Sequence, residues 1–191
     1  MKAVCVFCGS NVGRNPAYET AAVSVGTALA KAGLRLVYGG GKVGLMGAVA
    51  DAAIAAGGDV AGVMPRALVE REIAHAGLAE LHVVETMHQR KTMMADLADA
   101  FIALPGGAGT LEEFFEQWTW AQLGVHGKPC GLLNVADYFA PLIAMMRNIV
   151  AEGFIAERYV EMLVIDSEIE PMLKRFADYT PPPQKWEVPK P

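Results

Sequence analysis

The chain has 191 residues, the length of a single domain at about 100–200 residues per domain, and it carries 16 Lys and Arg against 21 Asp and Glu, a net charge of −5. This acidic balance argues against a nucleic-acid binder, because such binding depends on basic residues that neutralise phosphates. Hydrophobic residues make up 53% of the chain, which excludes a disordered chain.

Short apolar runs alternate with helical stretches along the chain. The predicted elements are, in chain order, strand 3–7, helix 16–32, strand 34–38, helix 44–56, strands 60–64 and 78–84, helix 86–97, strand 100–104, helix 111–123, strand 130–134, helix 138–152 and strand 163–165. This alternation predicts an α/β fold, a Rossmann-like, doubly wound parallel sheet with helices on both faces. We expect one domain over 1–177, followed by a Pro-rich C-terminal arm over 178–191 that is extended. Trp186 in this arm is predicted to pack on its own subunit or on a neighbour.

Neither a membrane span nor a disulfide framework is predicted. The longest stretch without a charge, 100–111, is shorter than the roughly 18 apolar residues that a spanning helix needs, and the start of the chain has no long apolar segment typical of a secretory signal. Cys5, Cys8 and Cys130 are an odd number of cysteines, which disfavours a disulfide scaffold. We therefore expect a cytoplasmic protein that contacts no membrane and no nucleic acid.

Cys5 and Cys8 form a C-x-x-C pair. Side chains alternate between the two faces of a strand, so residues three apart point to opposite faces. The four histidines also lack the spacing of metal ligands. We interpret the cysteines as small core residues and expect no metal and no cofactor.

Three loops that contain glycine each follow a strand directly, at 8–10, 39–41 and 105–107. Ligands of open α/β sheets bind outside the carboxyl ends of the strands, where glycine lets backbone N–H groups approach a phosphate and a helix N-terminus favours negative charge. A single such loop is explained by turn chemistry alone. Three at one sheet edge predict a nucleotide-sized anion site.

The second loop also matches the G-x-G-x-x-G dinucleotide fingerprint through Gly39, Gly41 and Gly44. That fingerprint needs an acidic residue at the end of the next strand. Pro65 and Arg66 stand there, and Asp59 lies at the opposite end. This disfavours an NAD oxidoreductase, and we interpret the 44–47 stretch as close helix packing.

The third loop continues into the densest signal of the chain, Pro-Gly-Gly-Ala-Gly-Thr-Leu-Glu-Glu at 105–113. Thr110 and Glu113 fit a capping box, which would give Glu113 a purely structural role. Arg90 and Lys91 begin the preceding predicted helix near the same sheet edge. Lys91 alone would be a solvated charge. An arginine close to both a phosphate site and a carboxylate, however, indicates a catalytic role.

The P-G-G-x-G-T-x-x-E run at 105–113 and the M-H-x-R-K run at 87–91 together resemble the "lonely guy" family of cytokinin-activating phosphoribohydrolases. The segments at 7–10, 38–41 and 119–124 are similar to it as well, so the resemblance covers about residues 1–155. Members have often been labelled lysine decarboxylases, although no lysine here lies in a pyridoxal-phosphate motif.

The resemblance implies hydrolysis of the N-glycosidic bond of AMP or of N6-modified adenosine 5′-monophosphates to the free base and ribose 5-phosphate. It implies Arg90 and Glu113 as the catalytic pair and a homodimer. The implied or predicted substrate contacts are Ser10, Gly41, Glu72, Arg90, Lys91, Gly107, Gly109, Thr110, Glu113 and Thr119.

This assignment agrees with the chemistry of glycosidic cleavage. The transition state resembles an oxocarbenium ion, which a carboxylate stabilises, and the same carboxylate can activate water. Arg90 would hold Glu113 ionised or bind substrate oxygens. A non-catalytic carrier is the alternative, since molybdenum-cofactor carriers have a similar fold, although a carrier has no need of the Arg90–Glu113 pair. The aromatic helix at 114–123 agrees with a dimer surface, or equally with a buried helix.

Overall fold

Seven short strands hydrogen-bond in parallel into one sheet in the computed structural model, which describes residues 1–71 and 73–183. Their order across the sheet is β4-β3-β2-β1-β5-β6-β7. The strands are β1 (Ala3–Phe7), β2 (Arg35–Tyr38), β3 (Val60–Pro65), β4 (Glu80–Val84), β5 (Ala100–Ala103), β6 (Cys130–Leu133) and β7 (Val164–Asp166). Five of the strands, β1, β2, β3, β5 and β6, are almost wholly buried, as expected of a parallel sheet covered on both faces. The predicted fold class is confirmed.

Helices connect successive strands as crossovers, and one further helix follows β7. They are α1 (Ala17–Lys31), α2 (Gly44–Ala55), α3 (Arg66–Val69), α4 (Met87–Leu97), α5 (Ala108–Leu123), α6 (Ala140–Ala151), α7 (Arg158–Glu161) and α8 (Ile169–Ala177), with a 3₁₀ turn at Val135–Asp137. Helices α3, α7 and α8 were not predicted from the sequence. None of the helices among residues 1–71 and 73–183 has the length and apolar character to cross a membrane.

The sheet separates two hydrophobic cores. One face packs against α1, α2 and α8, and the other against α4, α5 and α6. Cys8 belongs to the first core and Cys5 to the second, which confirms that the two thiols face opposite ways. Both thiols and that of Cys130 are buried and free, and burial raises their pKa well above the usual range.

The winding of the chain reverses between β1 and β5, because β2, β3 and β4 lie on one side of β1 and β5, β6 and β7 on the other. Such a reversal opens a crevice at the carboxyl ends of the two central strands. The loops at that edge touch, since Gly9 N donates to Pro105 O at 3.1 Å and Leu45 N donates to Gly9 O at 3.0 Å. Gly44 has a φ of +62°, and a Cβ there would overlap the backbone of Ser10 and Asn11. The close contact of Gly44 is therefore with the loop after β1, and not with a helix as the interpretation of 44–47 expected.

The predicted C-terminal arm is described as far as Pro183. Its residue Pro181 lies within contact distance of Gly127. Trp186 lies outside the described residues, so its packing stays a prediction.

Candidate active site

Helix α5 begins three residues earlier than predicted, at Ala108, with Gly107 as its N-cap and no side-chain capping bond. Thr110 and Glu113 therefore lie inside the helix, and the capping box predicted for them is wrong. Thr110 is 4% exposed and packs beneath Gly106, where a Cβ would overlap the Thr110 hydroxyl. Because the helix starts within the glycine loop, its first N–H groups have no side chain to bind and Glu113 is not used as a cap.

A true capping box lies at the start of α4. Thr86 Oγ1 accepts from Gln89 N at 3.1 Å, and Gln89 Oε1 accepts from Thr86 N at 3.2 Å. This box fixes the first turn of α4, which carries Arg90 and Lys91. The Thr-Met-His-Gln spacing at 86–89 carried this signal in the sequence.

A cavity of about 290 Å³ opens between the loops that follow β1 and β5. The predicted contacts Ser10 and Gly107 line it, together with Gly106, Tyr18 and Tyr138. The N-terminus of α5 lies at this cavity, and a helix N-terminus attracts anions through its free N–H groups and its dipole. The geometry is suited to binding an anion. Tyr18 and Tyr138 were not predicted as site residues, although Tyr138 follows β6 at the same sheet edge.

Arg90 is held by three groups from three different elements. Its Nε donates to Val63 O at 3.0 Å and its Nη2 to Gly39 O at 3.3 Å, while Nη1 lies 3.1 Å from Glu113 Oε1. Glycine at position 39 leaves room for the guanidinium in this position, because a Cβ there would overlap Nη2 of Arg90. The guanidinium is thus fixed in position, as the planar arginine fork permits.

Glu113 and Arg90 form a nearly buried ion pair, with side chains 11% and 12% exposed. Burial raises the pKa of the Glu113 carboxyl, and the positive charge of Arg90 opposes that rise. The neighbouring charges of Glu112 and Glu116 raise this pKa further, and that of Lys91 lowers it. A carboxyl with a raised pKa beside a fixed cation is typical of a catalytic acid or base.

Lys91 is not the solvated charge that the simplest interpretation predicted. Its Nζ lies 2.5 Å from Glu112 Oε1 and 3.0 Å from Glu116 Oε1, and its side chain is 9% exposed. The hydrogen bond to Glu112 is the main cause that raises the pKa of Lys91. The residue joins α4 to α5, and its contact with substrate stays a prediction.

The second glycine loop does not open to the cavity. Gly41 is buried and forms an isolated bridge with Ala74, and His75 N donates to Gly40 O at 2.9 Å. This loop contributes the Gly39 carbonyl that holds Arg90, whereas the sequence analysis expected it to bind phosphate directly. Of the three glycine loops, only those after β1 and β5 line the cavity.

The other predicted contacts are placed as follows. Gly109 is exposed in the first turn of α5, with open space where a Cβ would stand. Thr119 is exposed on α5, six residues beyond Glu113, and does not line the cavity. Glu72 lies outside the described residues. Within 1–71 and 73–183 no group of three or more His, Cys, Asp or Glu side chains is placed to hold a metal ion.

Comparison with known proteins identifies the family. The family model described as "Possible lysine decarboxylase" matches residues 46–176. A cytokinin riboside 5′-monophosphate phosphoribohydrolase of Rhodococcoides fascians is 52% identical over 170 residues, covering 88% of this chain and 86% of that protein. The enzyme LOG1 of Arabidopsis thaliana, of the same name, is 46% identical over 193 residues, covering 98% and 91%. The chain belongs to this phosphoribohydrolase family.

Solved structures show how widely the fold of these phosphoribohydrolases occurs. A molybdenum cofactor binding protein of Rippkaea orientalis matches with a TM-score of 0.70 at 21% identity, over 93% of this chain and 97% of that one. The molybdenum cofactor carrier protein of Chlamydomonas reinhardtii matches with a TM-score of 0.69 at 17% identity, over 93% and 99%. At such identities the likeness establishes the fold and nothing about the ligand.

Proposed function

We propose that the protein hydrolyses the N-glycosidic bond of adenosine 5′-monophosphates, including N6-modified ones, to release the free base and ribose 5-phosphate. The observation that carries this proposal is the 3.1 Å ion pair between Arg90 of α4 and Glu113 of α5, because the N-terminus of α5 lies at the cavity. The names of the relatives at 46–52% identity support the substrate class.

The 5′-phosphate would bind at the N-terminus of α5. The backbone N–H groups of 107–110 have no side-chain cap, and Gly107 and Gly109 leave open space around the backbone. Thr110 is buried, so it would contribute its N–H rather than an exposed hydroxyl. Ser10 borders the same cavity from the opposite loop. Binding the phosphate here holds the sugar in register with the catalytic groups, which lowers the entropic cost of reaching the transition state.

Glu113 would act on the anomeric carbon. As the glycosidic bond breaks, positive charge grows on the ribose ring, and a nearby carboxylate stabilises it. The same carboxylate can orient or deprotonate the attacking water. Both roles need the ionised form. A nearly buried carboxylate interacts more strongly with the positive charge on the ribose and with the attacking water, because the local dielectric constant is low.

Arg90 would keep Glu113 ionised and correctly placed. Its positive charge lowers the pKa that burial raises, and its two backbone acceptors, Val63 O and Gly39 O, prevent the guanidinium from moving away. Arginine remains protonated throughout the physiological pH range. The ion pair therefore supplies a carboxylate that is charged but poorly hydrated.

The direct test is to incubate the purified protein with AMP and with an N6-isopentenyl-type monophosphate and to measure the free base by chromatography. We expect base release from both, and none from adenosine, which lacks the phosphate. A protein that releases no base from any monophosphate, while folded by circular dichroism, would overturn the proposal and favour a carrier. The ratio of the two rates identifies the preferred base.

We further propose that the protein acts as a homodimer in the cytoplasm. The aromatic residues of α5 give this little support, since Phe114 and Trp118 are buried in the core and Phe115 and Trp120 pack against it. These four side chains agree instead with the alternative interpretation, in which the helix is buried within its own subunit. Sedimentation velocity at micromolar concentration tests the dimer, and a monomer at every concentration would exclude it.

A further inference from the structure

The turn after β6 has an unusual backbone. Ala136 and Asp137 have φ angles of 49° and 58°, and no other non-glycine residue among 1–71 and 73–183 has a positive φ. Side chains rarely adopt this left-handed region, and alanine less often than aspartate. Such a conformation persists only where surrounding contacts enforce it, and it is concentrated at functional sites.

The contacts that enforce the turn come from Asn134. Its Oδ1 accepts from Phe139 N at 2.7 Å, and its Nδ2 donates to Asp137 Oδ1 at 3.2 Å. The Phe139 ring, 1% exposed, anchors the far end of the turn in the core. One amide side chain therefore closes the loop from both sides, and Tyr138 lies between these fixed points.

The turn directs Tyr138 onto the phosphate loop. The Tyr138 hydroxyl donates to Gly106 O at 2.5 Å. The ring is held edge-to-face by Tyr18 at 5.5 Å and by Phe139 at 5.0 Å between centroids. Such pairs favour one ring orientation. A strained turn, a side-chain clamp and two aromatic contacts thus converge on a single hydrogen bond.

That hydrogen bond fixes the direction of a backbone donor. The peptide between Gly106 and Gly107 is trans, and in a planar trans peptide the C=O and the following N–H point in opposite directions. Holding the Gly106 carbonyl therefore aims the Gly107 N–H, which belongs to the N-cap of α5. Two adjacent glycines would otherwise rotate more freely than any other pair of residues.

We propose that Tyr138 is a positioning residue for phosphate binding, acting through the Gly106–Gly107 peptide. The inference rests on the proposed function for the identity of the ligand, since the phosphate is taken to be that of a nucleoside 5′-monophosphate or of ribose 5-phosphate. Tyr138 does not take part in bond cleavage. Its hydroxyl preorganises the loop before the substrate arrives, which reduces the entropy lost on binding.

The test is Tyr138→Phe, which removes only the hydroxyl. We expect the KM for AMP and the Kd for ribose 5-phosphate, measured by calorimetry, each to rise about three- to tenfold, the range of one neutral hydrogen bond. The kcat should stay near the wild-type value, because the loss is common to ground and transition states. Tyr159→Phe is the matched control: the Tyr159 hydroxyl accepts from Arg158 and not from the loop, so both constants should be unchanged.

A double-mutant cycle separates positioning from general stability. Asn134→Ala releases the turn, and if its effect on ribose 5-phosphate binding passes through Tyr138, the double variant with Tyr138→Phe should bind no more weakly than Asn134→Ala alone. Additive losses would overturn the inference, as would a Tyr138→Phe protein with wild-type KM and Kd.

The same measurements distinguish this inference from the proposed hydrolysis. If the wild-type protein hydrolyses AMP and Tyr138→Phe changes neither KM nor Kd, only the role of Tyr138 is refuted. Wild-type protein that binds ribose 5-phosphate with the expected dependence on Tyr138 but releases no base would support it and refute the proposed hydrolysis.

Discussion

Arg90 and Lys91 are adjacent on α4, and each pairs with carboxylates of α5, yet the two ion pairs differ in kind. Arg90 and Glu113 are both nearly buried, and Arg90 is also held by two backbone carbonyls. Lys91 instead bonds two carboxylates, of which Glu112 is 56% exposed and Glu116 22% exposed.

The difference shows that α4 and α5 are joined by two ion pairs, one suited to catalysis and one suited to holding the helices together. Glu113 has one cation partner and a pKa raised by burial, so its protonation and its charge are available to a reaction. Lys91 shares its charge between two acceptors, and its pKa is raised by them, so it remains a protonated link. We call these the Arg90–Glu113 pair and the Lys91 link.

The largest expected effect is that of Glu113→Gln, which keeps the shape of the side chain and removes its charge. We expect kcat for AMP to fall about 10²-fold or more, measured as adenine released. Glu112→Gln, one residue away in the Lys91 link, is the matched control and should keep a kcat close to that of the wild type. Equal losses of kcat in the two variants would contradict the distinction between the Arg90–Glu113 pair and the Lys91 link.

Much of this pair was predictable from the sequence, but its geometry was not. The strand pattern and the glycine loops place Arg90 and Glu113 at one sheet edge, because carboxyl ends of parallel strands meet there. The start of α5 was misjudged, since a threonine and a glutamate at capping-box spacing are indistinguishable by sequence from the same residues one turn inside a helix. The role of Gly39 depends on an arginine 51 residues away, and a local pattern cannot reveal it.

Outside the site, too, some elements of the fold were predictable from the sequence and others were not. The apolar runs predicted all seven strands, and the five that are almost wholly buried show the continuous hydrophobicity of buried parallel strands. Helices α3 and α7 have four residues each, too few for a 3.6-residue period to show. Tyr138 was missed because its position depends on the left-handed turn at Ala136 and Asp137, and an alanine in the sequence does not indicate such a turn.

The second prediction concerns the cation of the Arg90–Glu113 pair. Arg90→Ala should lower kcat/KM by about 10²-fold, the usual cost of one fixed electrostatic contact in an active site. Arg90→Lys keeps the charge but cannot reach Glu113, Val63 O and Gly39 O together, so we expect only partial recovery. Full activity in Arg90→Lys would mean that charge alone matters, and the circular dichroism spectrum of each variant checks the fold.

Gly39→Ala tests the same arginine without altering it. A methyl group at position 39 would overlap Nη2 of Arg90, and the end of a flexible side chain can move aside, so the fold should survive while the guanidinium is displaced. We expect kcat/KM to fall between about 10- and 10²-fold, as for small misplacements in active sites, with little change in Tm. The double variant with Arg90→Ala should be no worse than Arg90→Ala alone, whereas an additive loss would place the effect of position 39 elsewhere.

The raised pKa of Glu113 predicts two pH dependences. Since the reaction needs the carboxylate, kcat/KM should fall as pH decreases through a value above the ordinary glutamate pKa of 4.5. A carboxyl whose pKa is raised by folding contributes stability below that ordinary pKa, and the contribution is lost as pH rises through the folded-state pKa. Glu113→Gln should therefore gain Tm over the wild type at pH 7 and lose that gain near pH 4. A difference in Tm that is constant with pH would contradict the assigned direction.

The smallest effect on catalysis is expected for the Lys91 link. Lys91→Met keeps most of the apolar stem but leaves Glu116 without its cation, and Glu116 Oε2 is already buried without a partner. We expect the free energy of unfolding to fall by about 1.5–3 kcal/mol, the range for a hydrogen bond to a charged group, as measured by urea denaturation. Glu116→Gln, which retains one acceptor for Nζ, should lose less stability.

The effect of Lys91 on catalysis should be small. Because the charge of Lys91 lowers the pKa of Glu113, Lys91→Met should move the acidic limb of the pH profile to slightly higher pH, with kcat at its plateau nearly unchanged. The family resemblance makes a competing prediction, since a lysine that touches substrate would raise the KM for AMP when it is removed. A rise of about tenfold in KM, with stability intact, would therefore turn the Lys91 link from a structural connection into part of the binding site.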